Sequence, residues 1–175
     1  MYRKKFSRVL KLEAGFTLIE LLIVIAILAI LATVVLIAIN PTQKLARTRD
    51  VGRISTVSQL GHAMQAYYTA NSGEYPQDFD TLVTVGELTR IPSEITNTLT
   101  TTCLGVDDAE NGWCYAVDNV NHTFTVWSAL ESDTYLNRVG CGGVVAFATY
   151  LSDTGNVCIV CDTPPTAATV ASDCD

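Results

Sequence analysis

Apolar and polar positions divide the chain into three regimes. From Phe16 to Ile39 nearly everything is apolar: between Leu21 and Ile39 there is no charge, and Thr33 is the only polar residue. As one helix these 24 residues would span roughly 36 Å, enough to cross the hydrocarbon of a bilayer with some tilt. The core helix of a soluble protein rarely stays apolar on every face over such a length. Past Asn40 the pattern changes. Val51, Ile54, Val57, Leu60, Met64, Tyr67 and Tyr68 recur at three- and four-residue steps, the single stripe of an amphipathic helix that needs a partner surface. Gly61 either weakens this helix or marks a close crossing, and His62 beside the stripe reads as a packing or surface residue. The helix is expected to stop near Asn71-Ser72-Gly73, with Gly73 in the left-handed conformation that succeeds a helix end.

After Asn97 the pattern becomes that of strands. Cys114–Val117 and Thr123–Trp127 flank Asp118–His122, and β-branched and aromatic residues around an Asn/Asp turn predict a hairpin. Val144–Leu151 and Val157–Val160, around Asp153-Thr154-Gly155-Asn156, predict a second. Between helix and strands, Asp78–Val85 suits a short helical turn capped by Asp78, and Ile91-Pro92-Ser93 a linker. The tail from Thr163 to Asp175 reads as irregular and tethered through Cys174. The fold class is therefore α+β: a long N-terminal helix whose second half packs on a small antiparallel sheet. Its parts are residues 1–15, a basic leader; 16–39, an apolar helix; 40–72, its amphipathic continuation; and 73–175, a globular head. Asn40 and Pro41 punctuate the long helix. Asn suits an N-cap, Pro the first turn, and Gln43 can complete a capping box, so a break or kink is expected there.

Charge sharpens this division. Arg3, Lys4, Lys5, Arg8 and Lys11 precede the apolar run against one acid, Glu13. That bias keeps an N-terminus cytoplasmic and sends the chain beyond the run outside. From Ile54 onward 15 acids face only Arg90 and Arg138. So acidic a domain lacks the basic face that backbone binding to nucleic acid requires, and no specific nucleic-acid ligand is expected. Lys44, Arg47, Arg49 and Arg53 form a basic cluster, suited either to a solvated face beside lipid headgroups or to the acidic heads of neighbouring copies. All six cysteines, Cys103, Cys114, Cys141, Cys158, Cys161 and Cys174, lie on the outer side, and an even number there reads as disulfides. Six cysteines allow fifteen pairings. The pairing favoured is Cys103–Cys114, with the others joined among themselves.

The stretch Gly15-Phe16-Thr17-Leu18-Ile19-Glu20-Leu21 resembles, without substitution, the class III signal of type IV pilins and pseudopilins. That resemblance implies cleavage after Gly15 by a membrane prepilin peptidase, methylation of the new Phe16 amine, and assembly by pilus machinery into a helical filament of identical subunits. The segment Tyr67–Leu82, with its Gly-x-Tyr-Pro core, also looks like the loop after the pilin helix. In one respect the chain departs from the family: a helix-breaking proline is usual where Ile37 stands here, and Pro41 takes that part from a shifted place. An ordinary secretory signal would have a shorter apolar region and a small-residue cleavage site, whereas this run leads into Asn40-Pro41.

Glu20 is the one charge inside the run. As an isolated anchor the chain could hold it at the membrane edge, since four residues, about 6 Å of rise, separate it from Phe16. In a bundle of such helices it would be buried among apolar side chains and would need a partner or a proton. The resemblance supplies the partner: the free Phe16 amine of a neighbouring subunit. Ala26, Ala29 and Ala32, with Thr33 beside them, form a ridge of small residues that lets helix backbones approach closely.

Other chemistry finds little support. Cys158-Ile159-Val160-Cys161 has redox or zinc-knuckle spacing but lacks two further ligands. Asp107, Asp108 and Glu110 form an acidic loop without EF-hand spacing. Asn121-His122-Thr123 fits a glycosylation sequon. No catalytic set stands out, and His62 and His122 are the only histidines. The expectation is a non-enzymatic filament subunit without cofactor or metal. It is held as a single-pass membrane protein before assembly and on the cell surface afterwards. A type II secretion pseudopilin and a membrane-anchored binding domain that never polymerises are the alternatives.

Overall fold

The structure, a computed structural model, describes residues 15–93, 103, 108–110 (backbone only), 112–138, 140–143, 145–161, 163–166, 169 and 174. The chain divides into two units at Asn40. The first contains α1 (Leu18–Ile39), a helix of 22 residues with none buried. Thr33, its one polar interior residue, turns its hydroxyl onto the Ile30 carbonyl at 2.7 Å, so the helix leaves no side-chain donor seeking water. Asn40 ends α1 in the left-handed conformation (φ 45°), and Pro41 opens the next helix. Asparagine tolerates that conformation better than most residues, and proline has no N–H to satisfy in a first turn.

The second unit is a five-stranded antiparallel meander with a helix packed on it. Helix α2 spans Pro41–Ala70 and α3 spans Phe79–Val85. The strands are β1 (Asp108–Glu110), β2 (Trp113–Asp118), β3 (Thr123–Ala129), β4 (Ala146–Leu151) and β5 (Asn156–Cys161), in sheet order β1-β2-β3-β4-β5. A one-turn helix, α4 (Asp133–Leu136), lies between β3 and β4. The structure is α+β, and both hairpins form around the turns that their Asn, Asp and Gly residues predict. Register is fixed by pairs such as Tyr115 with Val126, Trp127 with Thr149 and Ala148 with Ile159.

One face of the sheet carries Tyr115, Phe124, Val126, Ala148, Tyr150 and Ile159 and packs with Val57, Leu60, Ala63 and Met64 of α2 and with Phe79 and Leu82 of α3. Each such large side chain taken from water contributes about 1.5–3 kcal/mol. Gly61 sits where α2 crosses Tyr150; a Cβ built there would overlap Cγ and Cδ1 of the ring. Of the two roles open to this glycine, it has the close crossing. At the far end of α2, Ser72 (φ 60°) and Gly73 (φ 85°) are both left-handed, and the Gly73 N–H returns to the Tyr68 carbonyl at 3.0 Å.

The opposite face is also buried, which the two-layer expectation does not contain. Trp127, Phe147, Ala116 and Cys114 form a second cluster there, and Thr125 and Thr149 are fully buried. Irregular chain covers part of this face: Cys103 is joined to Cys114, and the Thr125 hydroxyl donates to the Thr166 carbonyl at 2.8 Å. The remaining disulfides are Cys141–Cys161 and Cys158–Cys174. The pairs lie 11, 20 and 16 residues apart. Closing loops of such length stabilises a domain by roughly 3 kcal/mol each in the chain-entropy model.

Candidate functional site

The apolar helix begins at a defined cap. Thr17 has extended backbone (φ −83°, ψ 150°), and its Oγ1 accepts the Glu20 N–H at 3.3 Å. The same hydroxyl donates to Glu20 Oε2 at 3.5 Å. Thr-x-x-Glu is the capping-box spacing; the hydroxyl takes up one of the four N–H groups that a first turn leaves without helical partners. The carboxylate also suits the positive end of the helix. Glu20 thus has a part in starting its own helix, in addition to the membrane-edge and neighbour roles open to it. The Thr17-to-Glu20 spacing carries that signal in the sequence.

Gly15 and Phe16 precede the cap and lie outside the helix, and Phe16 is 78% exposed. A Cβ built on Gly15 meets no described atom within 4 Å. Glu20 is exposed, and among the described residues its carboxylate meets only the Thr17 hydroxyl.

A second carboxylate has the opposite environment. Asp50 on α2 is fully buried. Its Oδ1 accepts from Arg53 Nη1 at 2.9 Å and from the Glu131 N–H at 3.1 Å, and its Oδ2 accepts the Ser132 N–H at 2.8 Å. Arg53, also buried, reaches Glu131 Oε1 with Nη2 at 3.4 Å, and Arg49 Nε donates to the same oxygen. One turn before Arg47, Gln43 accepts the Asp133 N–H at 3.0 Å. Two carboxylates and two guanidiniums so bind the first half of α2 to the chain between β3 and α4.

This divides the basic cluster. Arg53 is buried against acids of its own head, and Arg49, half-exposed, reaches Glu131 there; Lys44 and Arg47 stay exposed. Gln43 turns its carbonyl oxygen to Asp133. The buried stripe of α2 runs Ala46, Asp50, Arg53, Val57, Leu60 and Met64, while Val51 is 54% exposed. The spacing is helical throughout, but two of its positions are charged, and hydrophobic periodicity cannot report them.

The remaining candidate residues scatter. Cys158 and Cys161 bond to Cys174 and Cys141 respectively, so the Cys-x-x-Cys spacing does not close on itself. Asp108 and Glu110 fall in β1; Asp107 lies outside the described residues. Asn121 is exposed at the β2–β3 turn, where its side-chain amide donates to Asp118 at 2.7 Å. His62 is exposed, with its Nδ1 3.4 Å from the Tyr150 hydroxyl.

An exposed apolar helix near the N-terminus, long enough to cross a membrane, fits a membrane-anchored precursor. Residues 10–36 match the family model of the prokaryotic N-terminal methylation motif. That segment carries the class III prepilin signal found in type IV pilins and pseudopilins. That motif implies processing by a prepilin peptidase and, in general, assembly into a filament. No curated protein and no solved structure significantly resembles the chain.

Proposed function

We propose that the chain is a structural, non-enzymatic subunit of a type IV pilus-like filament. Cleavage falls after Gly15, the new Phe16 amine is methylated, and assembly machinery draws the mature chain from the membrane into a surface fibre. The observation that carries this reading is α1: 22 residues, none buried, with a carboxylate in its first turn that meets only a threonine hydroxyl among the described residues. Identical helices packed side by side would cover the apolar surface. Pairing Glu20 with the Phe16 amine of a neighbour would satisfy the acid and fix the axial register.

Electron microscopy of sheared surface fibres, with mass spectrometry of the subunit N-terminus, tests the proposal. It expects this chain in the fibres, beginning at methylated Phe16. Absence from fibres, with loss of protein secretion but not of fibres on deletion, would assign it instead to a short secretion pseudopilus. A monomer that keeps its leader would leave only an anchored binding domain.

A further inference from the structure

We infer that Thr17 is a positioning residue for leader removal: by capping α1 at Leu18 it holds the Gly15–Phe16 peptide bond outside the helix, where a peptidase can reach it. This rests on the processing step of the proposed function. Hydrolysis breaks the bond between the Gly15 carbonyl carbon and the Phe16 nitrogen. Water supplies hydroxyl to the first and a proton to the second, leaving a Gly15 carboxylate and a Phe16 ammonium. A peptide bond inside an α-helix has its carbonyl tied to an N–H four residues on and its faces covered by neighbouring turns. Attack on that carbonyl requires the turn to open.

Two observations place the boundary. Thr17 is extended, and its Oγ1 takes the Glu20 N–H at 3.3 Å, which stops the helix two residues after the scissile bond. Gly15 and Phe16 lie outside the helix, Phe16 is exposed, and no described atom crowds the space beside Gly15, so the bond between them is accessible. Phe16 and Leu18 to Leu22 are apolar and helix-tolerant, Glu20 apart. Without a cap the helix would have little to stop it from growing through Phe16. Replacing a hydroxyl N-cap by a residue without an acceptor weakens that boundary by roughly fivefold in population.

The test is a time course of leader loss from the full-length precursor in membrane vesicles with purified prepilin peptidase, read by mass spectrometry of the N-terminus. Thr17→Leu, a strong helix former without an acceptor, and Thr17→Val, which keeps the shape, should both be processed roughly fivefold more slowly than wild type at low substrate. Thr17→Ser should restore the wild-type rate. Amide exchange on the uncleaved precursor in micelles should show Ile19, whose N–H would then reach the Gly15 carbonyl, newly protected in Thr17→Leu. Wild-type rates or faster in Thr17→Leu and Thr17→Val would overturn the inference, as would equal slowing in Thr17→Ser. If the wild-type precursor itself is not cut after Gly15, the processing step fails, and with it the basis of this inference.

Discussion

The two long helices are consecutive in the chain and answer opposite questions. α1 has no buried residue, and its acid, Glu20, finds one long contact with a hydroxyl. α2 buries a continuous stripe, and its acid, Asp50, is saturated by Arg53 and two backbone N–H groups. A buried carboxylate needs its charge matched and its lone pairs filled. Asp50 finds both within its own fold; Glu20 does not find them among the described residues, and under the proposed function it finds them on another molecule. The comparison separates a helix that completes the head from one that the head leaves uncovered.

Exchanging the two acids for alanine tests that contrast most strongly. Asp50→Ala leaves buried Arg53 with Glu131 and the Ala129 carbonyl, and removing one partner of a buried charged pair costs about 3–5 kcal/mol. Urea unfolding of the detergent-solubilised chain, disulfides intact, should show that loss. Glu20→Ala should leave the same unfolding midpoint within about 0.5 kcal/mol, since it is exposed, and should still insert in the membrane, while the yield of sheared fibres collapses. Normal fibre yield from Glu20→Ala would count against pairing with the Phe16 amine.

A smaller effect distinguishes packing from propensity in α2. Alanine in place of a mid-helix glycine ordinarily gains about 1 kcal/mol. At Gly61 the added methyl meets the Tyr150 ring, and overpacking costs about 1–3 kcal/mol. Gly61→Ala should therefore destabilise the head in the same urea experiment; a gain would mean that the crossing is looser than described. At Gly52, exposed on α2 with no atom within 4 Å of a built Cβ, alanine should stabilise.

The smallest effect is acid-dependent. Asp118 at the β2–β3 turn has its pKa lowered below the usual 3.8, chiefly by the Asn121 N–H and then by the Asn121 side-chain amide. A depressed carboxylate adds stability above its unfolded pKa and loses it as pH falls through the folded one. The turn should therefore loosen only below about pH 4, and the Asn121 amide resonance should report it. In Asp118→Asn that acid step should vanish. Persistence of the step would assign it to another carboxylate.

How much of this the sequence discloses depends on whether the signal is local. The apolar run, the Gly15–Glu20 motif, the left-handed Gly73, the Asp78 cap and both hairpin turns are written in neighbouring residues. The Asp50–Arg53–Glu131 network is not: Glu131 lies 81 residues from Asp50. Polar residues on a helix read as its solvent side until the partner strand is in place. The same holds for the second buried face of the sheet, since the chain covering it has no periodicity of its own. Thr17 is the reverse case, a cap plain in the sequence but hidden within a motif read as a whole.

The account rests on α1 being covered by copies of itself. The most direct measurement places a photo-reactive amino acid at Leu28, midway along α1, and irradiates cells before fibres are sheared. The account predicts a ladder of covalent dimers and higher multiples of this one chain, lost when Glu20→Ala is introduced. Adducts to lipid alone, with the chain remaining monomeric, would contradict it.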